Sequence, residues 1–400
     1  MNPDGSIIFP DSAHSDAFCR LRVSQPTLLL DIKRVGGTPD LFLTTSVSGT
    51  GAVAYIPSRS SNTLTVGPGV GTAIRQSKAR AMYQPGKSLL VFVTFVMAPA
   101  QPGLLQRVGY FDAKNGVFIE QSGPTINIVR RSYVSGSPVD TKVARSDWTI
   151  DQLGGVGVSH KTLDLTKPQI LVMDFEWLGV GRIRIGFVID GKICYCHQFI
   201  NANAELTSVY MSNPNLPVRW EVEATSSITG TAALEAICAS VNSEGGYDIT
   251  GLTASTDTGT TANAIASNSF EEILAIRMQA AFTEFGTAFT QHLSAMNTTT
   301  AAFRWRLVVN PTETGAGTWA AVPNSIMERN LTRTVTEDTG VTIATGYVSS
   351  VASAVESQAR PVLTLGTTLA GVTDVFSLQI HNLSQQSEDY FGALTWREIY

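Results

Sequence analysis

The sequence predicts a mainly β protein built from antiparallel, jelly-roll-like β-sandwiches. Short segments that alternate apolar and polar residues recur along the chain, as expected of strands with one buried face and one face in water. Turn signals rich in Gly, Pro and Asn separate these segments at the spacing of a sandwich. Strands do not alternate with long amphipathic helices, so a parallel doubly wound sheet is not expected.

The strand candidates are rich in aromatic and β-branched residues, which favour strands. They lie at residues 88–97, 126–131, 169–177, 182–189, 218–224, 272–278, 303–309, 341–348 and 375–381. Two turn sequences, Asn115-Gly116 and Asp190-Gly191, stand between alternating segments. Asn, Asp and Gly tolerate a positive φ at both turn positions, so we predict a type I′ hairpin at each turn.

Helical signal is weak and confined to two segments. Residues 231–241 are compatible with a short helix capped by Thr231 and equally with a strand of alternating apolar residues. Residues 280–295 carry three phenylalanines at spacings of three and four, which suits one face of a helix, but Thr and Gly interrupt the pattern.

Composition divides the chain into four parts. Residues 1–40, with scattered Pro and Gly, are predicted to form an extended N-terminal arm. Residues 41–244 are predicted to form a β-sandwich domain, in which 41–75, rich in Ser, Thr and Gly, is a loop or an edge hairpin. A Thr/Gly/Ala-rich linker or crossing loop is predicted over 245–269. Residues 270–400 supply a second sandwich domain or a second sheet to the first.

The charge content excludes several classes of protein. The chain has 400 residues, a formal net charge of −5 and only 15% charged residues, with 43% hydrophobic residues. A charge-rich disordered chain is excluded, and a DNA-binding protein with a broad basic face is not expected. No apolar run approaches the roughly 20 residues of a membrane span, so no membrane insertion is expected. No signal peptide is apparent.

Four cysteines are too few for a disulfide framework in a chain of this length. Cys194 and Cys196 would share one face of a strand, with His197 on the other face. This trio lacks the second pair of ligands that a structural zinc site needs. The three residues are therefore interpreted as buried or half-buried strand residues, and no metal or other cofactor is predicted.

One group of charged residues resembles catalytic machinery. Asp174 and Glu176 are two apart on a predicted strand and share a face, as paired carboxylates acting on a glycoside could. Arg182 and Arg184 share a face of the next strand and could lie opposite them across the turn. Cross-strand pairs of opposite charge contribute about 0.2–1 kcal/mol each. Structural charge pairing accounts for all four residues without a reaction, so we expect no catalytic residue and no enzyme.

Several longer strings occur in a fixed order along the chain. They are SDAFCRLRVSQPTL at 15–28, YQPGKS at 83–88, QRVGYFD at 106–112, DFEWLGVG at 174–181, NPNLPVR at 213–219, SEGG at 243–246 and LTWREIY at 394–400. Together they resemble a family of poorly characterised structural proteins of tailed phages and large DNA viruses, marked by an N-terminal DAFxRLRVSxP string. The match is weakest over 30–75, and Cys19 stands where the family has a small or polar residue. The resemblance implies a virion component and transfers no catalytic residue.

The resemblance and the composition agree on a non-enzymatic virion structural protein, such as a minor capsid, decoration or head–neck component. Its expected location is the virion. Its expected partners are copies of itself, for instance in a trimer, and other virion proteins such as the major capsid protein, without direct contact to nucleic acid. The candidate assembly residues lie in the arm and are Asp16, Phe18, Arg20, Leu21, Arg22 and Val23. This segment is interpreted either as an inter-subunit or fold-anchoring arm or as an ordinary first strand.

Two alternatives remain open. The chain could be a host-recognition protein on a tail or head fibre that binds surface glycan through its C-terminal sandwich. Trp305, Trp319 and Trp396 could then stack on sugars, although core packing is the commoner role of tryptophan. The other alternative is a glycan-cleaving virion enzyme that uses Asp174 and Glu176.

Overall fold

The computed structural model describes residues 25–37, 41–204, 206–348, 355–358 and 364–400. The predicted assembly residues of the arm lie outside this part of the chain; they are Asp16, Phe18, Arg20, Leu21, Arg22 and Val23. The described residues form antiparallel strands and three single turns of 3-10 helix, at Pro57–Arg59, Arg145–Asp147 and Ala280–Phe282. None of the helices among them has the length and apolar character needed to cross a membrane.

The first half of the chain forms a two-sheet sandwich, here called sandwich 1. Its strands are β1 (Thr27–Ile32), β2 (Leu43–Gly49), β3 (Ala52–Ile56), β4 (Ser61–Val66), β5 (Gly71–Ser77), β6 (Leu89–Val96), β7 (Leu104–Phe111), β8 (Gly116–Ser122), β9 (Thr125–Ser132), β10 (Val139–Ala144), β11 (Gln169–Phe175), β12 (Ile183–Ile189), β13 (Lys192–Phe199), β14 (Val218–Ala224) and β15 (Ala232–Ser243). Sheet A has the order β13-β12-β11-β6-β15-β4-β3, with β1 also paired to β15. Sheet B has the order β10-β9-β8-β7-β14-β5-β2.

Alternation along the strands creates the core of sandwich 1. On β6, every second residue from Leu89 to Phe95 is buried, and the residues between them are only half-buried. Sheet B contributes buried side chains that include Tyr110 and Trp220 to the same cluster. Fully burying an apolar side chain of this size stabilises the fold by about 1.5–3 kcal/mol.

The second half of the chain forms sandwich 2, which has its own core. Its strands are β16 (Leu252–Asp257), β17 (Asn263–Ile265), β18 (Phe270–Met278), β19 (Thr287–Asn297), β20 (Phe303–Val309), β21 (Glu313–Gly315), β22 (Trp319–Ala321), β23 (Met327–Asn330), β24 (Thr334–Val335), β25 (Val341–Val348), β26 (Val355–Gln358), β27 (Val375–Asn382) and β28 (Glu388–Ile399). Sheet C has the order β16-β28-β19-β26, with β17 also paired to β28; sheet D has the order β22-β23-β18-β27-β20-β25; β21 pairs with β24. Phe303, Leu378 and Trp396 are buried in the core between sheets C and D.

The predicted antiparallel β-sandwich class is confirmed, whereas both helical interpretations are wrong. Residues 232–241 lie in β15, because β6 pairs with one side of this strand and β4 and β1 with the other, and its alternate side chains enter the core. In 280–295, a 3-10 turn is followed by β19, whose backbone pairs with β28 over nearly its whole length. Cross-strand pairing satisfies these backbone groups and overrides the helical spacing of the phenylalanines.

Strands also occur within the segments predicted to be a loop or edge hairpin, a linker and an arm. Residues 41–75 contain four strands, β2 to β5, which complete both sheets of sandwich 1. Within 245–269, β16 and β17 pair with β28 of sandwich 2. Thr favours strands, so the Thr-rich composition of this segment did not exclude strand pairing. Within the predicted arm, β1 pairs with β15, because its alternate Leu30 and Ile32 are buried.

The two sandwiches contact each other through a buried ion pair. Lys78 Nζ lies 3.3 Å from Asp374 Oδ1, and both side chains are largely buried. Asp374 also accepts hydrogen bonds from the Gly366 N–H and from Asn310 Nδ2. A second ion pair, with Lys114 Nζ 2.8 Å from Glu284 Oε2, joins them nearer the surface.

The two predicted hairpin turns have different geometries. Asp190 (φ 51°) and Gly191 (φ 72°) form a two-residue turn between the paired residues Ile189 and Lys192, as a type I′ turn requires. The other hairpin is not type I′, because its loop spans four residues, 112–115. There the Asp112 carboxylate accepts the backbone N–H groups of Lys114 and Asn115, and β8 starts at Gly116. This carboxylate supplies an alternative turn that the Asn-Gly signal did not reveal.

Gly191→Val is expected to lower the free energy of unfolding of sandwich 1 by about 1–2 kcal/mol, because a Cβ at positive φ is strained. No atom would lie within 4 Å of that Cβ, so the effect is conformational and not steric. Urea denaturation of the purified chain measures it. Gly154→Val is the matched control, since its surroundings are equally open and its φ is not positive. Equal stability of the two variants would contradict the positive-φ explanation.

Candidate functional site

A charged cleft of about 300 Å³ opens on the outer face of sheet A, near the end where β11 turns into β12. Its lining residues are Gly86, Lys87, Ser88, Asp174, Glu176, Arg182, Arg184 and Glu244. The cleft therefore contains all four charged residues that the sequence singled out. Glu244, Lys87 and Ser88 join them from the ends of β15 and β6, positions that no local spacing could have indicated.

These side chains point away from the core, because successive residues of a strand alternate between its two faces. In β11, Met173 and Phe175 are buried in the core, which leaves Asp174 and the following Glu176 on the opposite face. The register pairs Asp174 with Arg184 on β12 and with Leu90 on β6. One wall of the cleft is therefore set by sheet pairing alone.

Asp174 and Arg184 form a cross-strand ion pair, in which the guanidinium Nη2 donates to the carboxylate Oδ2. The Arg184 guanidinium also lies over the Tyr195 ring, 4.5 Å from its centroid. Burial lowers the pKa of Arg184, but the hydrogen bond to Asp174 and the attraction of nearby negative charges, Asp174 first among them, together outweigh burial, and the net shift is upward. Burial and the nearby Asp174 carboxylate together raise the pKa of Tyr195.

The predicted ion pair between Glu176 and Arg182 does not form. The Glu176 backbone N–H donates to the Arg182 carbonyl at 3.1 Å, so the two residues are adjacent. Their side chains do not contact each other, and neither forms a hydrogen bond or ion pair with another described residue. Glu244 accepts a hydrogen bond from Ser88 Oγ at 3.1 Å. The cleft therefore holds a guanidinium and a carboxylate with free hydrogen-bonding capacity.

Beside the cleft, two adjacent loops expose a group of apolar side chains, here called the loop patch. Its members are between 37% and 61% exposed; they are Leu178, Val180, Ile200, Leu206 and Val209. A Cβ added at Gly179 would lie 2.9 Å from Val209 Cγ1, and Asn201 Nδ2 donates to the Gly181 carbonyl at 2.6 Å. These contacts hold the two loops together.

The three tryptophans proposed for sugar stacking do not form an exposed platform. Trp305 and Trp396 are buried in sandwich 2, and Trp396 Nε1 donates to Glu398 Oε1 at 2.7 Å. Trp319 is half-buried, and the Arg277 guanidinium covers its ring at 4.0 Å from the centroid. The predicted glycan-stacking role is therefore wrong for the two buried indoles, and at Trp319 the ring face is already covered.

The Cys-x-Cys-His sequence packs against the core of sandwich 1. Cys196 is buried in the core, and burial raises the pKa of its thiol. A bulge in the β12–β13 pairing places His197 opposite the core residue Ile185, as Cys194 is opposite the core residue Phe187, so the prediction that His197 lies on the other face from the cysteines is wrong. Burial lowers the pKa of His197, and its Nδ1 lies 3.2 Å from Thr149 Oγ1. Over the described ranges, His, Cys, Asp and Glu form no group of three or more that could hold a metal ion.

No protein-family model and no curated protein matches this sequence. The solved structures that are similar to part of this chain include the following three. A conserved carbohydrate esterase from the Shiga toxin-encoding bacteriophage phi24B is 12% identical, with a TM-score of 0.32 over 55% of this chain and 100% of its own. The Bacillus licheniformis β-glucanase is 10% identical, with a TM-score of 0.33 over 56% and 99%. Peanut lectin is 10% identical, with a TM-score of 0.30 over 55% and 98%. Similarity at this level indicates neither a ligand nor an activity.

Proposed function

We propose that this chain is a non-enzymatic structural protein of a virus particle that acts by packing against copies of itself and other virion proteins. The loop patch of sandwich 1 carries this proposal, because contiguous exposed apolar side chains mark protein contact surfaces. The virion context comes from the resemblance of the ordered strings. The patch and the resemblance support the proposal independently of each other.

The loop patch is well suited to assembly because its backbone is already fixed. The Tyr210 N–H donates to the Gly179 carbonyl at 2.9 Å, and the Tyr210 hydroxyl donates to the Glu176 carbonyl at 2.6 Å. A surface that needs little ordering keeps more of its contact energy as affinity.

The location is tested by counting copies of this chain against the major capsid protein in purified particles by mass spectrometry. Hundreds of copies would support a shell or decoration role, whereas about a dozen would support a neck, vertex or fibre component. Absence of the chain from particles would overturn the virion proposal.

Val180→Asp with Ile200→Asp is expected to raise the self-association Kd at least about tenfold, because two charges would be buried in an apolar contact. Light scattering across a dilution series measures this change. Val156→Asp is the matched control, since Val156 is 92% exposed on a different loop. If the control weakens association as strongly as the double variant, the patch is not the contact surface.

Host-glycan recognition is a second candidate function, and the charged cleft favours it. Sugar hydroxyls donate and accept hydrogen bonds, so a polyhydroxylated ligand would satisfy both the Glu176 carboxylate and the Arg182 guanidinium. This proposal moves the glycan site to sandwich 1 from the C-terminal sandwich, where Trp305 and Trp396 are buried and Arg277 covers the ring of Trp319.

Glu176→Gln and Arg182→Ala are each expected to weaken binding of purified host envelope glycan about tenfold, because each removes a charge-assisted hydrogen bond. Calorimetry on the full chain measures the affinity. Glu235→Gln is the control, since it removes a carboxylate from the same sheet that is paired with Arg59. Glycan hydrolysis that is lost in Asp174→Asn would instead favour a glycosidase.

A further inference from the structure

β1 is an edge strand of sheet A, and one of its two sides is open. β15 pairs with the other side of β1 from Thr27 to Ile32. Among the residues that the structure describes, no backbone hydrogen bond reaches the open side of this strand. Alternate N–H and C=O groups of β1 are therefore available to a further strand.

The opposite edge of sheet A is partly covered. β13 ends the sheet there, and its Cys196 carbonyl accepts the backbone N–H groups of Ile150 and Asp151 at 2.9 and 3.0 Å. Native sheets commonly cover or blunt their edges, since an open edge is a template for pairing with another chain. The open side of β1 is therefore a candidate docking site if its surroundings suit a partner.

Two cavities of about 290 and 220 Å³ lie along β1 and form a groove between the sandwiches, here called the β1 groove. Leu29, Leu30 and Thr364 line both cavities, so the groove is continuous along the strand. Sandwich 2 supplies one wall through Thr287 and Phe289. No residue of β15 lines either cavity, so the groove follows the open side of β1.

The lining of the β1 groove includes apolar side chains that water reaches. Leu28, Phe42 and Ile249 are each between 44% and 52% exposed. Leu29 has no partner on β15, because the register shifts between Leu28 and Leu30, and three successive leucines line the groove at this bulge. Exposed apolar side chains gathered around one groove mark a contact surface.

The charged residues that line the β1 groove are already paired within the chain. The three ion pairs are Asp31 with Lys33, Lys78 with Asp374 and Arg80 with Asp112. A charged occupant would lose hydration in the groove without gaining an unpaired partner there. The electrostatics of the groove therefore match an uncharged occupant.

We infer that the β1 groove binds an extended, uncharged segment of a partner polypeptide, which joins sheet A as a strand beside β1. The backbone of the segment pairs with the open side of β1, and every second side chain, an apolar one, enters the groove. Because walls from both sandwiches flank the groove, it admits a single strand and not the face of a folded sandwich. β1 spans about 20 Å, so about six residues of the partner suffice.

The test uses the full chain and three blocked seven-residue peptides in which Val, Leu or Phe alternates with Thr. At least one peptide is expected to bind, as measured by fluorescence polarisation, and to slow hydrogen exchange of the backbone N–H groups of residues 27–32. N-methyl groups on the apolar residues block the donors on one side of the peptide, and N-methyl groups on the threonines block those on the other side. One of these two methylated peptides should lose binding and the other should retain it, because only one side pairs with β1.

Two substitutions place an unpaired carboxylate in the β1 groove. Leu28→Asp, on the strand, and Ile249→Asp, on the neighbouring wall, are each expected to raise the peptide Kd at least about tenfold. Val139→Asp is the matched control, since Val139 is as exposed as Leu28 and lies on an edge strand of sheet B. All three positions are exposed, so an unchanged melting temperature is expected in each variant.

Four results would overturn the inference. The first is no saturable binding of any peptide up to about 1 mM, and the second is equal loss of binding in Val139→Asp. The third is binding that leaves hydrogen exchange in β1 unchanged, which would indicate a pocket for apolar groups only. The fourth is self-association that is lost in Leu28→Asp and Ile249→Asp, which would place a second copy in the groove.

The β1 groove is distinct from the loop patch, and the inference does not rest on the virion role. Val180→Asp with Ile200→Asp should therefore leave peptide binding unchanged, even where it weakens self-association. Failure of the assembly proposal and failure of this inference are distinguishable for that reason.

Discussion

Arg107→Ala is expected to lower the free energy of unfolding of sandwich 1 by about 3 kcal/mol, because it removes a shared partner from two buried carboxylates. Arg107 Nε lies 3.0 Å from Glu120 Oε2, and its Nη1 lies 2.7 Å from Glu221 Oε1. The Glu120 side chain is fully buried. In the variant, Lys142 would remain as an ion-pair partner of Glu120, and Arg219 would remain as a partner of Glu221. These remaining partners place the expected loss at the low end of the range for a broken buried ion pair.

The same cluster makes sandwich 1 sensitive to acid. Burial acts to raise the pKa of Glu221, but Arg219 and Arg107 outweigh it, and the net shift is below the ordinary value of 4.5. A carboxyl with a lowered folded-state pKa stabilises the fold above its unfolded pKa, and this stability is lost as the pH falls through the folded pKa. In Arg107→Ala, the pKa of Glu221 is less depressed, so its acid-linked loss of stability should be smaller than in the wild type.

Urea denaturation from pH 7 down to about pH 3 measures both effects. Arg59→Ala is the control, because the Arg59 side chain is 54% exposed and its ion pair with Glu235 should contribute no more than about 1 kcal/mol. A loss in Arg107→Ala no larger than in this control would show that the cluster is not a significant source of stability.

The alternation of side chains between the two faces of a strand predicted the part of the cleft formed by Asp174, Glu176 and Arg184. Because Asp174 and Glu176 alternate with core residues, their shared outward face followed from the strand assignment, and a short turn brought Arg184 opposite Asp174. Pairing of Glu176 with Arg182 did not follow, because these residues flank the turn, where the strand pairing of β11 and β12 has ended. Alternation along a strand determines which face a side chain lies on, but it does not determine the contacts of residues beyond the paired part of the strands.

The other cleft residues could not be predicted, because long-range strand order brings them together. Glu244 reaches the cleft only because β15 pairs with β6, about 150 residues away in sequence. The exposure of the loop patch likewise depends on a 200–209 loop that has no periodic signal. In contrast, Trp305 stands in the predicted strand 303–309, and core packing was the commoner role expected of it and of Trp396; the structure places both indoles in the core of sandwich 2.

Arg333→Leu is expected to lower the free energy of unfolding of sandwich 2 by about 3–5 kcal/mol at pH 7, because it leaves the buried Glu272 carboxylate without its charged partner. Arg333 Nη1 lies 2.9 Å from Glu272 Oε2, and both side chains are almost fully buried. Ser377 Oγ also donates to Oε2, but the buried Oε1 atom of Glu272 has no hydrogen-bond partner among the residues that the structure describes. Within the described part of the chain, Arg333 is therefore the only charged donor to Glu272.

The pKa of Glu272 is shifted in the opposite direction to that of Glu221. Burial raises the pKa of Glu272 above 4.5 even though Ser377 and Arg333 lower it. Without Arg333 that pKa rises further, so the ionised carboxylate destabilises the variant at neutral pH. As the pH falls from 7 towards 4.5, protonation relieves this penalty, and the deficit of Arg333→Leu relative to the wild type should shrink.

Adding Glu272→Leu to Arg333→Leu should recover most of the stability at pH 7, since the second substitution removes the unpaired, buried carboxylate of Glu272 and leaves an apolar pair. Urea denaturation of the single and double variants at pH 7 and about pH 5 measures this recovery. Arg277→Leu is the control on the same sheet, because its partner Glu328 is partly exposed. A double variant as unstable as Arg333→Leu, or a deficit that does not change with pH, would show that Arg333 stabilises sandwich 2 by packing and not by neutralising Glu272.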